Sequence, residues 1–263
     1  MRRALVRAGI AAAMALRLNR LARWLVAHLP RRFAVRFEDR VYALNAAGGR
    51  TGSHVAQREL EAIYRAGLAR LDSSPGDCLE FGVYTGTTLT CLYRALEGLG
   101  LDGVRIFGFD SFDGMPHVAG EEAASHSRAG MFRAGLDEAT ESLSRNGVDM
   151  DRVTLVKGWF DDTLTQATRR RLGIERLAVA LLDCDIYSSA KAALDFCAPL
   201  IQDRAVLVFD DWVHGGADAG EQRAFRELLA EHPGLRAEEI GSYPAAGHPD
   251  GGRAFLVSRD GHR

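Results

Sequence analysis

The stretch LAVALLDCD, residues 177–185, indicates how the chain folds. Its first six residues are all apolar, which is typical of a parallel strand covered by helices on both faces. Two aspartates follow immediately, where such a strand would end. Ligands of an open parallel sheet bind outside the carboxyl ends of its strands. The stretch therefore predicts both a buried strand and part of a binding site.

Four further runs of the same kind surround this one. They are DCLEFGV (77–83), GVRIFGFD (103–110), RVTLVKG (152–158) and RAVLVFDD (204–211). Helix-like segments alternate with the five runs and are predicted over Thr87–Leu99, Leu136–Asn146, Thr163–Leu172, Ser188–Leu200 and Ala219–Glu231. Five such units predict a doubly wound, Rossmann-like α/β sheet. LRAEEIGSY (235–243) and GRAFLVS (252–258) have no helix between them, so they predict a closing antiparallel pair.

The composition predicts one large α/β domain with an N-terminal extension. The chain has 263 residues, of which 47% are hydrophobic and 26% charged, as in globular proteins. The formal net charge of -2 is unevenly distributed, because residues 1–32 contain eight Arg and no Asp or Glu. We expect the extension to cover residues 1–52, with a basic amphipathic helix and a mobile loop that form a lid or an oligomer or membrane contact. The domain is expected over 53–263, opening with a helix over Ser53–Leu71.

The basic helix has two interpretations. Its Arg-rich polar face could bind a membrane surface peripherally through residues 1–32, or the helix could pack on its own domain or on a second subunit of a homo-oligomer. No run reaches the roughly 18 uncharged apolar residues of a membrane span, and no cleavage site follows the apolar stretch AGIAAAMAL. The four cysteines form no C-x-x-C pair. Buried free thiols in a reducing cytoplasm are therefore expected, rather than disulfides or a zinc site.

The first three strands end in residues suited to a nucleoside. Gly82 in EFGVYTGTT lets the backbone approach a ligand, and the helix from about Thr87 offers free N–H groups; a simple tight turn is the alternative. Asp110 stands where an acid would accept the ribose hydroxyls, unless it or Ser111 caps a turn. Trp159, with its neighbour Phe160, could flank an adenine or pack in the core.

The fourth and fifth strands end in four carboxylates, which raise an electrostatic question. Asp183 and Asp185 follow one strand, and Asp210 and Asp211 follow the next. Like charges brought together out of water repel unless a cation compensates them, and carboxylate oxygens are the ligands that Mg²⁺ prefers. The sequence therefore predicts a metal site, with helix capping or exposure to solvent as the alternative.

Five motifs together resemble the macrocin O-methyltransferase family of Mg²⁺-dependent enzymes that use S-adenosylmethionine. They are LEFGVYTGTT, FGFDSFDGMP, VKGWFDDTL, LLDCDIYSSAKAAL and VLVFDDW, within about residues 77–232. DCDIYSS matches the family's D-x-D-x-Y-x-S pattern. The resemblance implies the seven-stranded methyltransferase sheet and methyl transfer to a hydroxyl of a small molecule, typically a sugar of a glycosylated natural product. The N-terminal fifty residues match no lid of the family, so the acceptor stays open.

The resemblance also implies roles for individual residues. The S-adenosylmethionine pocket would be lined by Glu80, Gly82, Thr87, Asp110, Ser111 and Trp159. Mg²⁺ would be held by Asp183, Asp210 and Asp211. Asp185 would be the general base, since a carboxylate beside the cation needs only a modest proton affinity. One of the loop histidines is the alternative base; these are His117, His126, His214 and His248.

Two other function classes remain as alternatives. Tyr187 and Lys191 have the Y-x-x-x-K spacing of some nicotinamide-dependent oxidoreductases, but the first loop is not G-x-G-x-x-G. A non-catalytic binding module of the same fold is the second alternative, although such a module has no reason to keep mutually repelling acids. Nucleic-acid binding is disfavoured because the expected site is acidic.

Overall fold

The computed structural model describes residues 51–71, 75–117, 129–214, 218–245 and 248–260. The predicted basic helix and the loop after it lie outside the described residues, as does His126. The helix predicted from Ser53 begins two residues earlier and runs over Thr51–Leu68. None of the helices in the described ranges is both long enough and apolar enough to cross a membrane.

One mixed sheet of seven strands organises the described residues. The strands are β1 (Asp77–Phe81), β2 (Ile106–Asp110), β3 (Val153–Lys157), β4 (Leu177–Leu182), β5 (Arg204–Phe209), β6 (Leu235–Ala245) and β7 (His248–Arg259). Their order across the sheet is β3-β2-β1-β4-β5-β7-β6. The neighbours from β3 to β5 pair in parallel, whereas β7 is antiparallel to both β5 and β6. The predicted doubly wound sheet with a C-terminal antiparallel hairpin is confirmed.

Seven α-helices accompany the strands in the described ranges. They are α1 (Thr51–Leu68), α2 (Thr87–Gly98), α3 (Leu136–Arg145), α4 (Phe160–Thr163), α5 (Gln166–Leu172), α6 (Tyr187–Cys197) and α7 (Gly220–Glu231). The prediction of one helix over Thr163–Leu172 was wrong. Thr165 is extended between α4 and α5, and its hydroxyl accepts a hydrogen bond from the Thr168 backbone N–H at 3.1 Å. This side chain caps a new helix and interrupts the predicted one.

The two faces of the sheet are covered by different helices. Every residue of β1 and β4 is buried, as expected for central parallel strands. Apolar side chains of α1, α2 and α3 pack on one face, and those of α6 and α7 pack on the other. Cys78, Cys91, Cys184 and Cys197 are buried free thiols, as predicted. Because both faces are closed by apolar packing, polar chemistry is confined to the strand ends.

Candidate active site

The loop after β1 approaches the end of β4 very closely. Gly82 has a φ of +92°, and its N–H donates to the Phe109 carbonyl of β2 at 2.9 Å. A Cβ atom at this position would lie 1.8 Å from the Asp183 carbonyl oxygen. Only glycine fits here, because the left-handed backbone and the close approach both exclude a side chain. The predicted loop therefore contacts the end of β2 and the end of β4 at the same time.

Glu80 is a buried acid at the end of β1. Its Oε1 accepts a hydrogen bond from the Thr88 hydroxyl at 2.9 Å, whereas Oε2 has no hydrogen-bond partner within the described parts of the chain. Burial raises the pKa of Glu80 to about 8, with a further contribution from the Asp210 carboxylate. Because Thr88 belongs to the first turn of α2, Glu80 lies beside the start of this helix, where Thr87 is exposed. The unpartnered oxygen can accept a hydrogen bond from a ligand.

Asp110 organises the loops at the end of β2. Its Oδ2 accepts from the backbone N–H groups of Val83 (2.8 Å) and Tyr84 (2.9 Å), and its Oδ1 accepts from that of Phe112 (2.7 Å). The Ser111 hydroxyl donates to the Gly114 carbonyl at 2.9 Å. Both residues thus form the turn caps that were the alternative interpretation of the sequence. An ionised carboxylate has about four acceptor positions, which leaves Asp110 room for one more donor.

The two aromatic residues after β3 have different environments. Phe160 is half-buried and meets the Phe81 ring edge-on, with the ring centroids 6.0 Å apart. Trp159 is 42% exposed. Core packing therefore accounts for Phe160, whereas the indole of Trp159 is available to a ligand.

Two of the acids after β4 and β5, Asp183 and Asp210, have no Lys or Arg partner among the described residues. Asp183 and Asp210 are half-buried and Asp211 is buried. Burial and the neighbouring acids, Asp210 first, raise the pKa of Asp183 well above its ordinary value. Burial and Asp211 raise the pKa of Asp210 to about 7, although the hydrogen bond from Tyr243 opposes this shift. In the described ranges, no Lys or Arg forms an ion pair with Asp183 or Asp210. The arrangement suits a bound cation.

Asp185 is held in an unusual backbone conformation beside these acids. It has a φ of +59°, and the flanking Ile186 N–H donates to the Cys184 carbonyl at 2.6 Å, which closes a γ-turn around it. The Asp185 N–H donates to Asp211 Oδ2 at 3.1 Å. A positive φ is uncommon for a residue with a side chain and persists where the surroundings enforce it. Asp211 thus fixes the position of the predicted base.

His214 and Glu221 complete this side of the site. His214 Nδ1 lies 2.9 Å from Asp211 Oδ1, and this hydrogen bond raises the pKa of the imidazole. One ligand atom from each of Asp185, Asp211 and His214 lies within 4.8 Å of the others. Glu221 Oε2 accepts from the Asp211 N–H at 3.0 Å, and burial raises the pKa of Glu221 well above its ordinary value. His214 was only one of four candidate histidines, and Glu221 was not predicted at all.

An aromatic cluster explains why Glu221 reaches the site. Phe209 of β5, Trp212, Phe225 of α7 and Phe255 of β7 have ring centroids 4.7–6.0 Å apart. The cluster ties α7 to the end of β5, so the first turn of α7 faces Asp211. In a sequence, an acid in the first turn of a helix is ordinarily explained by a favourable interaction with the helix dipole. Nothing else in the sequence indicates that Glu221 contacts Asp211.

The Tyr187 and Lys191 pair has a structural explanation. The Tyr187 hydroxyl donates to Glu227 of α7 at 2.6 Å. Lys191 pairs with Asp195 of its own helix and with Glu231 of α7. Both side chains thus connect α6 to α7, which removes the main support for a nicotinamide-dependent oxidoreductase. His117 is exposed in a loop, and His248 is exposed at the start of β7.

Comparisons with known proteins give one family. A family model described as Macrocin-O-methyltransferase (TylF) matches residues 54–232, more than half of the chain. The 8-demethyl-8-(2,3-dimethoxy-alpha-L-rhamnosyl)-tetracenomycin-C 4'-O-methyltransferase of Streptomyces olivaceus is 31% identical over 147 residues, which cover 54% of each chain. The mycinamicin III 3''-O-methyltransferase of Micromonospora griseorubida is 26% identical over 149 residues, covering 54% of this chain and 57% of the relative. The chain therefore spans about half the length of these curated relatives.

Solved structures support the fold. The O-methyltransferase NovP superposes with a TM-score of 0.62 at 23% identity, covering 76% of this chain and 80% of NovP. The calicheamicin methyltransferase CalS11 superposes with a TM-score of 0.59 at 24% identity, covering 92% of this chain and 91% of CalS11. The seven-stranded arrangement is thus the one found in known methyltransferases.

Proposed function

Because the chain belongs to the macrocin O-methyltransferase family, we propose that it is a Mg²⁺-dependent O-methyltransferase that uses S-adenosylmethionine. The proposed acceptor is a hydroxyl of a small molecule, namely a sugar of a glycosylated natural product. The observation that carries the proposal is the pair of carboxylates next to the glycine loop, Asp183 and Asp210, for which the described ranges contain no Lys or Arg partner. The names of the relatives support the acceptor class, since one acts on a rhamnosyl tetracenomycin.

The described residues fit the cofactor. S-adenosylmethionine, when bound, supplies an electrophilic methyl group on a positively charged sulfur. Glu80 offers a buried oxygen that has no hydrogen-bond partner within the described ranges, Asp110 has room for one more donor, and Trp159 exposes an aromatic face. Gly82 and Ser111 lie in the loops after β1 and β2, and Thr87 is the first residue of α2. These three residues complete the proposed pocket. The acidic surroundings also favour a positively charged ligand.

The acids at the ends of β4 and β5 fit a divalent cation. We propose Asp183, Asp210 and Asp211 as its ligands, because their donor set is made of hard carboxylate oxygens and because no Lys or Arg pairs with Asp183 or Asp210 within the described ranges. Mg²⁺, when bound, supplies a positive charge that lowers the pKa of a nearby hydroxyl. It would also return Asp183 and Asp210 to their ionised forms at neutral pH.

Asp185 is the proposed general base. The acceptor oxygen takes the methyl group in line with the departing sulfur, and the proton of the hydroxyl passes to the Asp185 carboxylate. The γ-turn and the hydrogen bond to Asp211 hold Asp185 in place before the acceptor binds. Positioning of this kind reduces the entropy that must be lost on reaching the transition state.

Calorimetric titration of S-adenosylhomocysteine into the full chain tests the proposal, first with Mg²⁺ and then with EDTA. We expect binding in Mg²⁺, and we expect Asp183→Asn to retain that binding but lose metal-dependent methyl transfer to a rhamnoside acceptor. Asp195→Asn is the matched control, because Asp195 is an exposed acid on α6. Absence of binding in both conditions would contradict the cofactor assignment, and unchanged turnover of Asp183→Asn would contradict the metal assignment.

The remaining expectations belong to the same proposal. We propose a cytoplasmic enzyme with a small-molecule acceptor and no nucleic-acid partner. The division of the chain between residues 52 and 53, the membrane contact through residues 1–32 and a homo-oligomer stay predictions.

A further inference from the structure

His214 stands beside the proposed cation site in a fixed position. Its backbone N–H donates to the Asp211 carbonyl at 2.9 Å, so a turn joins the two residues. Its Nδ1 lies 2.9 Å from Asp211 Oδ1. The imidazole is therefore held by both backbone and side chain, and it is 35% exposed. A histidine on a solvated loop would have neither constraint.

Asp211 itself is fixed from several directions. Its N–H donates to Glu221 and its Oδ2 accepts from Asp185, and the residue is 5% exposed. One ligand atom from each of Asp185, Asp211 and His214 lies within 4.8 Å of the others. Such a carboxylate–imidazole grouping resembles the mixed nitrogen and oxygen sets that bind transition metals.

Glu221 gives independent evidence that this corner accommodates a positive ligand. It is 1% exposed, its Oε2 touches the Asp211 backbone, and its Oε1 has no hydrogen-bond partner within the described ranges. A buried oxygen without a partner is costly unless a ligand or an ion compensates it. His214 pairs with Asp211, and one imidazole carries at most one positive charge beside several neighbouring acids.

We propose that His214 is a ligand of the divalent cation, next to Asp211, and that the imidazole consequently increases the affinity of the centre for a transition-metal ion such as Co²⁺ more than its affinity for Mg²⁺. The proposal rests on the proposed function, since that function places a cation at Asp211. Imidazole nitrogen binds transition metals well, whereas Mg²⁺ prefers oxygen ligands and retained water. A site made only of carboxylates lacks the nitrogen ligand that favours a transition-metal ion.

Calorimetry with metal ions alone measures how much His214 contributes to the affinity for Co²⁺ and for Mg²⁺. Full-length protein freed of metal is titrated with Co²⁺ and with Mg²⁺, for the native sequence, His214→Ala and His232→Ala. His232 is the matched control because it is a half-buried histidine at the opposite end of α7. We expect His214→Ala to weaken Co²⁺ binding about tenfold or more and Mg²⁺ binding less than about threefold. Equal losses for both ions would overturn the proposal.

Proton magnetic resonance detects coordination of the His214 imidazole to the metal ion directly. Paramagnetic Co²⁺ shifts the exchangeable N–H proton of a coordinated imidazole far outside the normal proton range. We expect one such resonance in the Co²⁺-loaded native protein and in His232→Ala, and none in His214→Ala. If the resonance is absent from the native protein, His214 is not a ligand.

The two proposals fail separately. If S-adenosylhomocysteine binds and methyl transfer proceeds, but His214→Ala leaves Co²⁺ binding unchanged, only the histidine assignment is wrong. If the imidazole resonance is present but the nucleoside does not bind, the metal site stands and the methyltransferase function is wrong.

Discussion

Asp211 connects most of the functional groups on the acidic side of the site. Its backbone contacts Glu221, and its two carboxylate oxygens contact Asp185 and His214. A substitution at Asp211 would therefore disturb the base, the histidine and the helix α7 together. Asp183 and Asp210 are better positions at which to test the cation, because their side chains have fewer contacts.

Tyr243 offers a more specific test of what determines the pKa of Asp210. Its hydroxyl donates to Asp210 Oδ1 at 2.7 Å, and this bond favours the ionised carboxylate. We expect Tyr243→Phe to raise the Asp210 pKa further and to weaken Mg²⁺ binding at neutral pH about tenfold, since a hydrogen bond to a charged group contributes about 1.5–3 kcal/mol. Calorimetric titration with Mg²⁺ measures the change.

Tyr64→Phe is the matched control for this substitution. Tyr64 is also a fully buried tyrosine, but its hydroxyl has no hydrogen-bond partner in the described ranges. Removing that hydroxyl should leave Mg²⁺ affinity within about threefold of the native value. Equal effects of the two substitutions would show that the bond to Asp210 does not influence the cation site.

Sequence patterns predicted some residues of the acidic side and missed others. The strand-end acids could be predicted because an apolar run followed by Asp marks both the end of a strand and its edge of the sheet. Tyr243 and Glu221 could not, because their contacts depend on how the hairpin and α7 pack. Tyr243 is 33 residues from Asp210 in the chain, and no local pattern encodes that contact.

The turn between β1 and α2 is the most constrained element of the site. Gly82→Ala would place a Cβ atom 1.8 Å from the Asp183 carbonyl, at a φ of +92°. We expect a loss of about 3 kcal/mol in the free energy of unfolding, with weaker S-adenosylhomocysteine binding because β1 and β4 must separate. Chemical denaturation and calorimetry measure the two effects.

Gly103→Ala provides the corresponding control. Gly103 lies in the turn before β2 and has no positive φ, and a Cβ atom added there would meet no heavy atom within 4 Å. Its substitution should change stability by less than about 0.5 kcal/mol. If Gly82→Ala changes the free energy of unfolding as little as this control does, the loop can accommodate a side chain in spite of its close contacts.

Secondary structure was predicted well where the hydrophobic pattern alone determines it. The five parallel strands and the closing hairpin are in their expected places, because buried apolar runs are distinctive. The helix predicted through Thr165 failed for a different reason. A single threonine hydroxyl there competes with the helical backbone by capping α5, and side-chain capping inside a helix-like pattern is hard to distinguish from continuation.

The whole molecule concentrates buried acid at one edge of its sheet, so its stability should depend on pH. The folded-state pKa values of Glu80 (about 8) and Asp210 (about 7) are raised, so the folded chain binds more protons than the unfolded chain above the ordinary carboxyl pKa. In EDTA, the stability contributed by these groups is present at about pH 5 and is lost as the pH rises to about 8. Thermal unfolding should show a fall of about 5 °C or more.

Two further experiments, one with added Mg²⁺ and one with a substitution, distinguish this explanation from a general effect of pH. Saturating Mg²⁺ should reduce the fall, because the ionised carboxylates bind the cation. Glu80→Gln should also flatten the profile, because the amide does not titrate. The half-buried Glu227 and the exposed Glu238 have lowered pKa values, so their contributions change only below this range. If the Glu80→Gln protein shows the same dependence of thermal stability on pH as the native protein, Glu80 is not the source of that dependence.

The C-terminal hairpin has a consequence for synthesis of the chain. The strand β7, although made after β6, lies between β5 and β6, and Tyr243 belongs to β6. A nascent chain that has emerged through β6 already carries every residue of the proposed site, yet β6 still has no neighbouring strand to join it to β5 and hold Tyr243 near Asp210. Insertion of the twelve residues of β7 supplies that neighbour. The emergence of β7 from the ribosome therefore sets the time at which the acidic centre is completed.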